Sequence, residues 1–193
     1  MVKWVHKNRN NTIAYYLQSQ SWTHSVARQQ DNKTAYSAFE FTNIKCISHD
    51  ETFATFEYYF LKAINRTYKY FSFKVKLHQL PVRKVKVNFA LYQRLNGYKP
   101  FLYNVTIDGC KYMANRKTNP VVTFFYSLFG PYSNINHSCP YNHDLIVEKV
   151  PCSYIEAQFT NTLPFPKSSY AFFSDWYAEG IKRARVEVYG KLS

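Results

Sequence analysis

Strict alternation of apolar and polar residues recurs along most of this chain, and it limits the fold more than any other sequence feature. Within residues 68–77, for example, Phe71 and Phe73 alternate with Ser72 and Lys74. Side chains of a strand point alternately to its two faces, so such a segment has one buried face and one wet face. The segments read as strands are 39–48, 52–64, 68–77, 84–94, 100–107, 144–149, 170–177 and 181–192. The predicted fold is therefore an all-β sandwich of two sheets packed face to face.

The last predicted strand shows how the alternation assigns faces. Ala184 and Val186 fall on its inner side, and Arg183, Arg185 and Glu187 fall on its outer, solvated side. We therefore expect these three charged residues to lie on the wet face.

A hairpin joins the predicted strands 84–94 and 100–107. The dipeptide Asn96-Gly97 between them is typical of a type I′ turn, in which both central residues have positive φ. On the returning strand, Phe101 and Tyr103 share a face with Val105 and Ile107, opposite Asn104. Asn104 begins a glycosylation sequon, and a glycan cannot enter a core, so the aromatic face is expected to be the inner one.

One short helix is predicted over residues 120–129. Apolar residues recur at the spacing of one helical face. Asn119 suits the N-cap and Pro120 the first helical position, while Gly130-Pro131 predicts a left-handed stop. The residues of the apolar stripe are Val121, Phe124, Phe125, Leu128 and Phe129.

The length predicts one domain, 37–193, preceded by a polar extension, 1–36, expected to be disordered. The chain carries 25 Lys and Arg against 12 Asp and Glu, a formal net charge of +13. Such a charge suits an anionic partner, but basic residues that alternate with apolar ones usually form a solvated outer face, which we favour. These residues are Lys69, Lys74, Lys76, Arg83, Lys84, Lys86, Arg94, Lys182, Arg183 and Arg185.

Sequons and cysteines favour secretion. An even number of cysteines, four, suits an oxidising compartment. Residues 1–36 hold no apolar run long enough for a signal peptide. Either the leader is missing from this version of the chain, which we favour, or the protein stays in a reducing compartment and its sequons are unused. The sequons begin at Asn10, Asn32, Asn65, Asn104 and Asn136.

The aromatic content, 19% of the chain, has two explanations. The rings fill a tightly packed sandwich, or they line a cavity for an apolar ligand. The sequence does not separate them.

A polar cluster, His137, Cys139, His143 and Asp144, raises metal binding or a Cys-His nucleophile as alternatives. Its spacing fits no zinc signature, and a cysteine in a disulfide is not a nucleophile. No P-loop, G-x-S-x-G or H-E-x-x-H motif occurs. We therefore predict no enzyme, no metal and no cofactor.

Five segments carry a resemblance to a known family: FEFTNIKC, LKAINRTYKYFSFKVKL, LYQRLNGYKPFLYNVTIDGCKYM, SNINHSCPYNHD and RARVEVYGKLS. Over about residues 37–193 the chain resembles a large insect family of secreted proteins of unknown function. That family is placed with the MD-2-related lipid-recognition proteins, which include the GM2-activator type and chemosensory B proteins. The resemblance implies an immunoglobulin-like, cup-shaped sandwich that holds an acyl chain or hydrocarbon between its sheets.

The resemblance also implies the disulfides. The family commonly has cysteines at the positions of Cys46, Tyr59, Cys110 and Cys139, so a Cys110 to Cys139 bridge is expected here. Cys46 has lost its usual partner because Tyr59 stands in that position. Cys46 is therefore either free or paired with the additional Cys152.

Three function classes remain: a carrier of an apolar molecule, a cationic binder of anionic glycan or membrane, and a small hydrolase. We favour a monomeric carrier of a lipid or other apolar small molecule, with a chemosensory role, a membrane or receptor as further partner, and no nucleic acid. Phe125 and Phe129 are predicted to gate entry, by analogy with the fold. Glycans are expected on Asn65, Asn104 and Asn136. The predicted cavity residues are Phe89, Leu91, Phe101, Tyr103, Val105, Phe124, Phe125, Leu128, Phe129, Phe172 and Trp176.

Overall fold

The computed structural model describes residues 39–66, 68–162 and 165–193, which belong to the unit Ala35–Ser193. The predicted extension, with Asn10 and Asn32, lies outside the described residues. All eight predicted strands are present, with ends shifted by at most a few residues. They are β1 (Phe39–Ser48), β2 (Ala54–Ala63), β3 (Lys69–Leu77), β4 (Val85–Leu95), β5 (Gly97–Asp108), β6 (Leu145–Pro151), β7 (Ser168–Ala178) and β8 (Ile181–Leu192).

The strands form two antiparallel sheets. One has the order β1-β8-β7-β4-β5 and the other the order β2-β3-β6. Aromatic rings join the two inner faces: Phe41 on β1 contacts Phe71 on β3, with centroids 5.1 Å apart, and Phe73 on β3 contacts Trp176 on β7 at 6.0 Å. The predicted two-sheet β-sandwich is confirmed.

The hairpin between β4 and β5 forms, but its turn is not type I′. Leu95 already pairs with Gly97. Gly97 has a φ of 88°, and Asn96 is not among the described residues with positive φ. A glycine is needed at this one position because it adopts positive φ without a Cβ clash. Asn104 is exposed on the outer face of β5, as the alternation predicted.

The prediction of a single helix is wrong. The described residues contain three α-helices, α1 (Gly109–Ala114), α2 (Pro120–Ser127) and α3 (Cys152–Thr162), and two short 3₁₀ helices, Arg116–Thr118 and Gly130–Tyr132. The sequence does carry a signal for helix α3: Cys152, Ile155 and Phe159 recur at helical spacing, and all three are buried. Helix α1, with six residues, is too short to show a periodic pattern.

Helix α2 begins as predicted and ends differently. The Asn119 side chain accepts a hydrogen bond from the Val122 amide at 3.1 Å, and Pro120 follows the cap. The helix ends at Ser127, and Gly130 opens a 3₁₀ turn without positive φ. A Cβ on Gly130 would lie 2.5 Å from the Tyr126 ring, so the glycine is required by close packing and not by a left-handed stop.

The structure contains the disulfide Cys110–Cys139, with Cα atoms 5.2 Å apart. The alternative pairing of Cys46 with Cys152 does not form, and both thiols are free. Cys152 Sγ accepts a hydrogen bond from the Phe41 amide at 3.2 Å. Cys46 lies five residues beyond Phe41 on β1, about 16 Å along an extended strand, whereas a disulfide needs Cα atoms within roughly 7 Å.

The outer face of the five-stranded sheet is less wet than the alternation predicted. Asp175 and Glu187 are both only 8% exposed. Arg185 donates two hydrogen bonds to Asp175, at 2.6 and 2.7 Å, and lies over the Phe173 ring. These charges are buried because they are paired, which is the condition under which burial is tolerated.

Candidate functional site

Two cavities are lined by residues of both sheets. The larger, cavity 1, measures about 100 Å³ and is bordered by Phe53, Val75, Val87 and Ala184 among others. The smaller, cavity 2, measures about 60 Å³ and is bordered by side chains that include Phe41, Phe71, Ile155 and Phe159. Both linings are almost entirely apolar.

The two cavities share two walls, Phe129 and Trp176. Phe129 follows the end of α2 and is only partly buried. Its ring contacts Phe89 and Tyr126, with centroids 6.5 and 5.6 Å away. Phe129 and Trp176 therefore separate two cavities that lie next to each other.

The structure places six of the eleven predicted cavity residues in a lining. Phe89 borders cavity 1, both shared walls were predicted, and three further residues border cavity 2. The six are Phe89, Leu91, Leu128, Phe129, Phe172 and Trp176.

The other five predicted residues border neither cavity and pack in the core. Phe125 is fully buried and stacks on both Phe89 and Phe172, with ring centroids 5.7 and 5.3 Å away. It therefore has no position from which to gate entry. Phe124 packs on Phe159 of α3, and the three β5 residues Phe101, Tyr103 and Val105 pack against the core cluster.

Several lining residues escaped the sequence reasoning. They come from strands of both sheets, from α1 and α3, and from the loops. Phe71 and Phe73 carried a usable signal, since they stand on the apolar side of a clean alternation. Tyr112, Tyr126 and Tyr141 line cavity 1 through loop and helix geometry that no periodicity reveals.

Three of the four tyrosines that line cavity 1 have hydroxyls that are already hydrogen-bonded. Tyr112 donates to Thr123 Oγ1 at 3.2 Å, Tyr126 to the Ile135 carbonyl at 2.9 Å, and Tyr141 to the His137 carbonyl at 2.8 Å. Burial raises the pKa of Tyr141 to about 12, so its hydroxyl stays protonated. These groups are already hydrogen-bonded within the protein.

Arg183 is the charged residue in the lining of cavity 1. Its predicted place on the wet face is wrong, since its side chain is only 12% exposed. The cause is a β-bulge: Trp176 pairs with Ala184 but Tyr177 pairs with Lys182, which leaves Arg183 as the additional residue of β8. A bulge re-aims the side chain of the additional residue, and here it interrupts the alternation.

The polar cluster His137, Cys139, His143 and Asp144 is held by contacts within its loop and with neighbouring elements. The two Nε2 atoms of His137 and His143 lie 2.8 Å apart. Cys139 is in the disulfide, and Asp144 accepts a hydrogen bond from the Leu77 amide at 3.1 Å. Among the described residues, no group of three or more His, Cys, Asp or Glu is arranged to hold a metal ion.

The free thiols are poor nucleophiles. Burial raises the pKa of Cys46 to about 12, and burial also raises the pKa of Cys152. The thiolate is the reactive form of cysteine, so both residues remain unreactive at neutral pH.

Three predicted glycosylation positions are accessible. Asn65, Asn104 and Asn136 are all exposed. None of the helices in the described ranges has the length and apolar character needed to cross a bilayer.

Comparison with known proteins finds one family similarity, which covers less than half of the chain. A family model described as "Protein of unknown function (DUF1091)" matches residues 87–172, from β4 into β7. No curated protein matches the chain. A solved structure, the crystal structure of a Niemann-Pick type C2 protein from Japanese carpenter ant, is 15% identical, with 80% of this chain and 92% of that chain covered and a TM-score of 0.30. The two-sheet architecture is shown by the strand pairing of this chain itself.

Proposed function

We propose that this chain is a non-enzymatic binding or carrier protein for a small apolar molecule. The observation that carries the proposal is the pair of adjoining apolar cavities between the sheets, separated by Phe129 and Trp176. A dry concave wall is all that a carrier of this kind needs.

The cavity volumes limit the ligand. An engineered apolar cavity of about 150 Å³ binds benzene, whereas pockets for drug-sized ligands measure about 300–1,000 Å³. Cavity 1, at about 100 Å³, therefore suits a ring or the end of a chain. A longer acyl chain requires Phe129 to rotate so that both cavities become one.

The absence of an enzymatic function belongs to this proposal. In its support, the two free thiols are kept protonated by burial, and the polar cluster of the loop is engaged in the disulfide and in structural hydrogen bonds.

Secretion is also part of the proposal. The Cys110–Cys139 disulfide and the exposed sequon residues support an oxidising, extracellular location. The chemosensory role has the sequence resemblance as its only support. A receptor or membrane partner would receive or deliver the ligand.

Native mass spectrometry of protein secreted from insect cells tests the proposal. We expect mass increments from co-purified apolar molecules. Ala184→Leu fills cavity 1 from a buried position and should remove them, while Ala63→Leu, at an exposed end of β2, should retain them. Ligand-free wild-type protein that also binds no added hydrocarbon would contradict the proposal. If that protein instead eluted late from heparin with a steep salt dependence, the cationic binder would replace it.

A further inference from the structure

One buried side-chain nitrogen has no hydrogen-bond partner among the residues that the structure describes, and it is Nε of Arg183. Buried polar groups are nearly always paired, so an unpaired one requires an explanation. This nitrogen belongs to the one residue that a β-bulge brings from the expected wet face into the lining of an apolar cavity. Both observations concern the same side chain.

The rest of Arg183 is held firmly. Its Nη1 forms an ion pair with Asp50 Oδ2, and its guanidinium lies over the Phe53 ring, 4.2 Å from the centroid. The His49 amide donates to the Arg183 carbonyl at 2.8 Å. Asp50 is itself positioned by the Thr52 hydroxyl and by the Phe53 amide, at 2.6 and 3.2 Å. The guanidinium is therefore held in a fixed orientation, and its buried Nε has no hydrogen-bond partner.

We infer that Arg183 Nε donates a hydrogen bond to a single acceptor oxygen on an otherwise apolar, uncharged ligand of cavity 1. The inference rests on the proposed carrier function and specifies its ligand class. A ketone or an ester has the required form, with a hydrocarbon body for the apolar wall and one carbonyl oxygen for the N–H.

The charge balance favours a neutral ligand over a carboxylate. The positive charge of Arg183 is already matched by Asp50, so an anionic ligand would bring an uncompensated charge into an apolar cavity. The nearby hydroxyls of Tyr112, Tyr126 and Tyr141 donate to protein acceptors and offer no further support to an anion. One neutral acceptor satisfies the buried, unpaired Nε–H.

Three probes of nearly equal shape test the inference: ethylbenzene, acetophenone and benzoate. They differ at the group expected to meet Arg183, and each is a single ring with one small substituent. Calorimetric titration of the wild-type protein should show acetophenone binding about tenfold more tightly than ethylbenzene, the effect of one added hydrogen bond to a charged donor. Benzoate should bind more weakly than acetophenone.

Two variants locate the effect. Arg183→Met removes the donor and should make acetophenone and ethylbenzene bind equally. Lys182→Met removes the neighbouring charge, which pairs with Asp175 and does not line the cavity, and should preserve the tenfold preference. The wild-type protein supplies a measurement that does not depend on the folding of a variant: the Arg183 Nε–H resonance should shift with acetophenone and not with ethylbenzene.

The outcomes separate the two proposals. Equal wild-type affinity for ethylbenzene and acetophenone, with an unmoved Nε–H resonance, overturns the role of Arg183 and leaves a carrier whose guanidinium is satisfied by water. Tightest binding of benzoate overturns the neutral ligand class. Binding of none of the three overturns both this inference and the proposed function.

Discussion

Phe125→Ala should mainly lower stability and Phe129→Ala should mainly change binding, although the two residues lie only four positions apart and were predicted to gate entry together. Phe125 has no exposed surface and contacts Phe89, Phe172 and Tyr103, with ring centroids within 5.3 to 5.9 Å. Truncation of a fully buried phenylalanine costs about 3–5 kcal/mol of folding free energy, through lost transfer energy and the void left behind.

Phe129→Ala should cost less and change binding more. The side chain is only partly buried, so we expect a loss of roughly 1–2 kcal/mol, below the value for full burial of a phenylalanine. Because Phe129 is a wall of both cavities, its removal joins them into one larger space. Naphthalene, a two-ring ligand, should then gain affinity relative to ethylbenzene.

Urea denaturation and thermal melting check the stabilities, and calorimetric titration checks the binding. At about 2–4 °C per kcal/mol for a chain of this size, Phe125→Ala should lower Tm by roughly 6–20 °C and Phe129→Ala by much less. The naphthalene to ethylbenzene preference should rise only in Phe129→Ala. The reasoning is refuted if Phe125→Ala is the milder variant, or if Phe129→Ala leaves the preference unchanged.

Further predictions concern the disulfide, a buried ion pair and a close contact. Replacing Cys110 and Cys139 by alanine opens a loop of 29 residues and should lower the free energy of unfolding by roughly 3–4 kcal/mol, measured in urea; an unchanged midpoint would contradict this. Burial raises the pKa of Asp175, but its hydrogen bonds with Arg185 and Lys182 outweigh this and hold the pKa below its usual value. Its stabilisation is therefore complete above about pH 4 and is lost as pH falls through the folded pKa, and Asp175→Asn should flatten that acid limb of the pH-stability curve. Gly190→Ala should destabilise by about 1–3 kcal/mol in thermal melts, because its Cβ would lie 2.2 Å from the Phe39 ring; a Tm equal to wild type would refute that contact.

Local pattern was enough to predict the strands. Each of the eight alternating segments is a strand, since a period of two is a property of the strand itself and does not depend on what it packs against. The start of α2 was equally readable, because Asn119 and Pro120 act within a single turn. Gly97 has the predicted positive φ, but not in a type I′ turn. Gly130 is required by close packing and not by the predicted left-handed stop.

Features that depend on contacts between distant parts of the chain could not be predicted from local pattern. Both Phe125 and Phe129 belong to the same apolar stripe, and only the way each packs on the five-stranded sheet decides which of them borders a cavity. The free state of Cys152 depends on which part of β1 lies beside it: its Sγ meets the Phe41 amide, and Cys46 lies five residues further along that strand.

By itself, the sequence determined an all-β sandwich, the inward face of each regular strand and the start of its central helix, because these follow from periodicity and capping. Only the tertiary structure decided that two small apolar cavities lie between the sheets, because cavities are what remains when particular side chains fail to meet. It also decided the place of Arg183. One additional residue in the pairing of β7 with β8 turns that side chain from the solvent into the cavity, and pairing register is a property of two strands together.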